Sequence, residues 1–143
     1  MNEIVSDNIL KSFRAFVNKF IETDDKLFDT LINNFEFMKV ARKELLLEAG
    51  KTANKIFFLH EGFARFFHTK SDGTEVTSDF YFAPGFITSF TSFIDQKPSI
   101  VNIQAMVKMD VPFIKHKDLM ALYDKEHKVE RLGRLLAEQV FIT

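Results

Sequence analysis

From Glu36 to His116 the chain is cut into short runs rich in Val, Ile, Phe and Thr, each closed by a turn signal. That rhythm confines the middle of the protein to a β-sandwich or barrel. Residues 37–41 and 44–48 are predicted strands, followed by a turn at Ala49-Gly50. Residues 55–60 and 63–69 flank Glu61-Gly62, a tight-turn signal, and Ser71-Asp72-Gly73 marks a second hairpin that leads into 75–82. Two more strands, 101–107 and 111–114, are separated by a turn near 108–110. About eight short strands in this order fit a jelly roll.

The flanks follow a helical period instead. Val5, Ile9, Phe13, Phe16 and Phe20 recur three and four apart and make one apolar stripe. Thr23 is the predicted N-cap of a second short helix, with Asp24 and Asp25 in its first turn and Leu27, Phe28, Leu31 and Ile32 on its buried face. At the other end, residues 117–123 read as a short helix. From His127 onward Val129, Leu132, Leu136 and Val140 form a narrow seam suited to pairing with another helix. Gly133 sits inside that helix, where glycine costs about 1 kcal/mol against alanine; it either permits a close helix approach or is incidental. The expected organisation is one α+β domain over 1–143: helices over 1–34, a β-roll over 36–116 and C-terminal helices over 117–143.

Between the last two strand groups lies the segment YFAPGFITSFTSFIDQKPSIVNIQA, residues 81–105. A strand ends in Pro84-Gly85, a short helical turn is expected over 87–93, and a loop through Asp95, Gln96, Lys97 and Pro98 leads to a strand ending at Ala105. Glycine lets backbone approach a ligand closely, and the free N–H groups that open a helical turn attract anions. This layout resembles the phosphate cassette of the cyclic-nucleotide-binding domain in Crp/Fnr-type bacterial transcription regulators, which runs Gly-Glu-Leu, then, roughly ten residues on, Arg-Ser/Thr-Ala, and an alanine a few residues further. Gly85 matches the glycine and Ala105 the final alanine, while the run Phe63-Ala64-Arg65-Phe66-Phe67 resembles the strand after the family's hairpin glycine. Phe86 stands where the ribose-binding glutamate would be, and Ser99 where the phosphate-binding arginine would be. As an order of elements the resemblance runs from about Phe37 to Val140.

The resemblance implies an effector-sensing, dimerising domain with an effector pocket at Gly85, Phe86, Ile87, Thr88, Ser89, Ser99 and Ile100. It implies a homodimer through Val129, Leu132, Leu136 and Val140, and DNA contact through an additional C-terminal domain outside this chain. Without the arginine, a buried phosphate lacks its charge partner, so cyclic AMP and cyclic GMP are expected to bind weakly or not at all. The effector is then a different, less charged small molecule, or the pocket is closed by phenylalanine and the domain is a dimerising scaffold.

Other chemistries find little support. Lys and Arg are dispersed and the net charge is −1, so the chain by itself is a poor DNA binder. It has no cysteine, hence no disulfide, thiolate nucleophile or iron–sulfur ligand set. Glu3 and Asp7 stand where a signal peptide would be basic, and the expected location is the cytoplasm. Gly-x-Ser-x-Gly, P-loop and Gly-x-Gly-x-x-Gly patterns are missing, and Glu75, Asp79 and Asp95 form no recognisable carboxylate pair. No cofactor and no catalytic residue is expected. The competing class is a cupin-like metalloenzyme using His60 and His68, which flank one hairpin and lack the His-x-His pair usual in that class.

Overall fold

The computed structural model describes residues 6–142, with side chains as far as Val140. Val5 of the expected stripe and Thr143 lie outside the described residues. Two helices, α1 (Asp7–Val17) and α2 (Asp25–Asn33), precede β1 (Glu36–Val40), β2 (Leu45–Leu47), β3 (Lys55–Leu59), β4 (Phe63–Thr69), β5 (Glu75–Phe82) and β6 (Gly85–Ile87). Then come α3 (Phe90–Asp95), β7 (Asn102–Ala105), β8 (Met109–Lys115), α4 (His116–Lys125) and α5 (His127–Ile142). The strands form two four-stranded antiparallel sheets, ordered β1-β8-β3-β6 and β2-β7-β4-β5. This is the expected jelly roll with flanking helices.

Strand β3 shows why the roll needs those helices. Its sequence is KIFFL, and its last four residues are all buried. Successive side chains point to opposite faces, so Phe57 and Leu59 enter the core between the sheets while Ile56 and Phe58 enter a second core beneath the helices. Strand β8 splits the same way, with Val111 and Phe113 inward and Ile114 outward. The second core collects Phe13 and Val17 from α1, Leu31 and Ile32 from α2, Leu119 and Leu122 from α4, and Val129 and Leu132 from α5. Much of the phenylalanine content serves this layer: the Phe13 ring lies 4.9 Å from that of Phe35 and 5.1 Å from that of Phe58, both nearly edge-on.

Local signals explain the ends of the helices. The Ser6 hydroxyl accepts from the Ile9 N–H at 3.3 Å and caps α1. The cap of α2 is Asp24 and not Thr23: the Asp24 carboxylate takes the Leu27 N–H at 2.8 Å. Thr23 joins the two helices instead. Its hydroxyl donates to Asn18 Oδ1 at 2.7 Å and accepts from Arg14 Nε, and Arg14 also reaches Asp25 at 2.9 Å. At the turn that carries the chain from β3 in one sheet to β4 in the other, in place of the expected hairpin, Gly62 has φ +84°, and a Cβ there would lie 2.7 Å from Met109 Sδ. Glycine is required at this turn by conformation and by space.

Gly133 permits a close approach, and the approach is within the chain. The Tyr123 ring of α4 lies across it, with Cζ 2.7 Å from where a Cβ would be and the hydroxyl nearer still. Gly133→Ala is therefore expected to destabilise the protein by about 1–2 kcal/mol, although alanine is the better helix former by about 1 kcal/mol. In a Tyr123→Ala background the same change is expected to become stabilising. Urea unfolding of the four proteins in this cycle checks the reversal of sign.

Candidate functional site

The residues expected to form one pocket separate into two groups. Gly85–Ile87 is a strand, not the approach to a helix, because the edge of β3 is free to pair with it: Leu59 faces Gly85 and Phe57 faces Ile87. Helix α3 accordingly begins at Phe90, three residues later than the expected start at Ile87. Strand alternation sends Ile87 into the inner core and Phe86 outward, toward the helices.

There the Phe86 ring joins a cluster of phenylalanines. Its centroid is 5.1 Å from Phe58, 5.6 Å from Phe16, 5.7 Å from Phe13 and 6.4 Å from Phe35. The hydroxyls that follow are occupied by the fold. Thr88 is 3% exposed and donates to the Lys55 carbonyl at 2.8 Å. Ser92 accepts from the Ala53 N–H and donates to the Lys97 carbonyl. Ser99 is 4% exposed; its hydroxyl donates to the Val101 carbonyl at 2.9 Å and accepts from the Val101 N–H at 3.1 Å. Its backbone is paired on both sides, N–H to Lys51 and carbonyl to Gly50. Ser89 precedes α3 without a side-chain capping bond, and Ile100 is 85% exposed.

Gly85, Phe86, Ile87 and Thr88 do line a common cleft of about 790 Å³. Ser89, Ser99 and Ile100 do not reach it. Its other walls come from Phe16, Lys19 and Phe20 at the end of α1, from Phe66 and 79–81 on the β4–β5 hairpin, and from Leu136, Gln139 and Val140 of α5. The charged members are Lys19 and Asp79, one of each sign, both exposed. Tyr81 lies over Phe66 with centroids 4.5 Å apart. Burial, and secondarily the Asp79 charge, raises its phenol above the ordinary tyrosine range, so it is a neutral donor at physiological pH. Sequence reading missed Lys19, Tyr81 and Gln139 because nothing local sets them apart; the fold alone brings them to the cleft.

The expected dimer seam is also divided. Val129 and Leu132 are 1% and 5% exposed and pack into the chain's own helical core. The cause is the α4–α5 corner at Glu126, which lays the first half of α5 against the sheet and α2. The second half is less covered: Leu135 and Leu136 are half-buried against the same core and Val140 is 50% exposed, with Leu136 and Val140 on the cleft. As a seam for a second subunit, Val129 and Leu132 are thus corrected to intrachain packing. Among the described residues no three His, Asp or Glu side chains stand close enough to hold a metal. His60 contacts the adjacent Glu61 at 3.8 Å, and His68 on β4 faces Val76.

The order of the strands and their flanking helices matches a known fold. Residues 37–126 match the family model of the cyclic nucleotide-binding domain. The chain belongs to that family. Three similar solved structures, each below 20% identity, show the same fold. A cyclic nucleotide-binding domain from Methylobacillus flagellatus KT superposes with a TM-score of 0.76 at 18% identity, over 94% of this chain and 79% of that one. The sensor domain of the transcriptional regulator DNR from Pseudomonas aeruginosa gives 0.73 at 12% identity, over 93% and 87%. The Thermus thermophilus catabolite activator protein gives 0.70 at 18% identity, over 85% of this chain and 57% of that one. This domain thus spans little more than half the length of that regulator. No curated protein matches it by sequence. Among the described residues no helix is long and apolar enough to cross a membrane.

Proposed function

We propose that this cyclic-nucleotide-binding-family domain is the effector-sensing, dimerising part of a Crp/Fnr-like transcription regulator, and that its cassette does not take cyclic AMP in the family's usual way. The observation that carries the second half is the place of Phe86. The side chain at the ribose-binding position sits among four other phenylalanine rings. Ser99, at the phosphate-binding position, has its hydroxyl closed onto its own turn. A cyclic phosphate entering the cleft loses water and finds only the rim charge of Lys19, balanced by Asp79.

In this reading a second subunit pairs along the later part of α5, at half-buried Leu136 and exposed Val140. An effector that changes how α5 lies over the cleft shifts the population between two pairings. DNA is contacted by an additional C-terminal domain, and the domain itself performs no catalysis. Cyclic AMP and cyclic GMP are expected to bind at least 100-fold more weakly than to a cassette with both charged partners, an expected loss of several kcal/mol. Isothermal calorimetry with either nucleotide should give no saturable heat in the micromolar range. Low-micromolar binding would mean that backbone amides and hydroxyls replace the glutamate and arginine, and would sink the reading.

A further inference from the structure

A second, partly open cavity lies on the far side of Phe86 from the inner core, bordered by α2, β3, β6, α3, β8, α4 and α5. Its volume is about 290 Å³, and it is lined by Leu31, Phe90, Phe93, Leu132 and Ala137 among others, nearly all apolar. Two lining side chains carry nitrogen or oxygen, His116 and Tyr123. Among the described residues neither the Tyr123 hydroxyl nor the His116 ring has a hydrogen-bond partner, and neither is sealed from solvent. Burial raises the Tyr123 phenol, with Glu130 adding to the effect, so the hydroxyl keeps its proton and can donate. His116 stands edge-on to Phe93 at 4.8 Å.

An apolar cavity with a few convergent polar groups is the usual form of a small-molecule site. A cavity of about 150 Å³ holds one benzene ring, so this one has room for two fused rings. Its many aromatic side chains favour a flat aromatic guest. Among the described residues no charged side chain lines it, which disfavours nucleotides and other anions. We propose that the cavity binds a bicyclic aromatic molecule bearing a single hydroxyl, with the rings among the phenylalanines and the hydroxyl at Tyr123 and His116. Val129, Leu132, Gly133, Leu136 and Ala137 of α5 all border the cavity, so the guest holds α5 against the sheet. Binding itself does not depend on the regulatory reading above.

The test uses 2-naphthol with naphthalene as its comparator. The chain has no tryptophan and two tyrosines, so naphthol fluorescence is read against a low background. Saturable binding of one 2-naphthol per chain is expected. Tyr123→Phe should weaken 2-naphthol about fivefold and leave naphthalene unchanged, since it removes one hydrogen bond and little volume. Ala137→Leu, which fills the cavity from α5, should abolish both, and Met120→Phe fills it from α4 should the first variant fail to fold. The proposal is overturned by no saturable binding to the unsubstituted chain, or by binding that survives both filling variants. It is overturned as well if affinity falls as protein concentration rises, because a second copy then occupies the cavity.

Discussion

Phe13→Ala is expected to cost about 3–5 kcal/mol, the usual range for removing a fully buried phenylalanine ring. Phe13 has no exposed surface and its ring meets those of Phe28, Phe35, Phe58 and Phe86, so one side chain joins α1, α2, β3 and β6. Alanine leaves a cavity bounded by three elements that cannot all close in. For a domain of this size the loss corresponds to a fall in Tm of roughly 10–20 °C. Phe82→Ala is the control, because Phe82 is 68% exposed and its main ring contact is Phe63 at 5.3 Å; that change should stay within about 0.5 kcal/mol. Thermal and urea unfolding of both variants give the comparison. A cost below 1 kcal/mol for Phe13→Ala would mean that α1 is not docked on the sheet, and the cleft would then lose its Phe16 and Lys19 wall.

The roll was legible because its strands carry their own punctuation. Residues 63–69 and 75–82 were bounded by glycine turns and match β4 and β5. Strand β6 was not legible. Gly85–Ile87 is three residues long, without alternation of its own, and is a strand only because β3 offers it a partner. Helix α3 was placed early for the same reason. In the site, Gly85, Phe86, Ile87 and Thr88 reached one cleft because they run consecutively along β6 and one residue past its end. Ser99 and Ile100 were assigned by alignment to Ala105, but Ser99 is held inward by its bonds to Val101 and Ile100 points into solvent. The seam of α5 was correctly read as apolar, yet periodicity does not say which apolar surface a helix meets. The short α4 and the corner at Glu126 decide that Val129 and Leu132 meet the chain's own core. Gly133 needed Tyr123, ten positions away on another helix, before its purpose was visible.

On the proposed reading of the cassette Phe86→Glu restores the residue type that the family carries there, and it is expected to destabilise the domain without creating a cyclic-nucleotide site. The ring at 86 packs within 5.1 Å of Phe58 and 5.7 Å of Phe13. Losing those contacts should cost about 2–3 kcal/mol even with a neutral carboxyl in place. Ionising that carboxyl beside the phenylalanines adds roughly 1–3 kcal/mol, moderated because the open cleft admits water. The sign of the pH dependence follows from the same burial. The introduced carboxyl has a folded-state pKa raised above its unfolded value of about 4.3. The charge penalty is therefore absent below about pH 4, grows as pH rises from the unfolded towards the folded value, and is constant above it. Against the unsubstituted chain, the deficit should be smaller at pH 4 than at pH 7, as read by urea unfolding at both. Cyclic AMP affinity should not improve, because in that same reading the arginine position is still Ser99, whose hydroxyl is closed on its own turn. If the variant kept full stability at pH 7 and gained cyclic AMP binding, the side chain at 86 would have to turn from the phenylalanine cluster into the cleft. The cassette would then be a single substitution away from use, and the family's ordinary ligand would be restored as the effector.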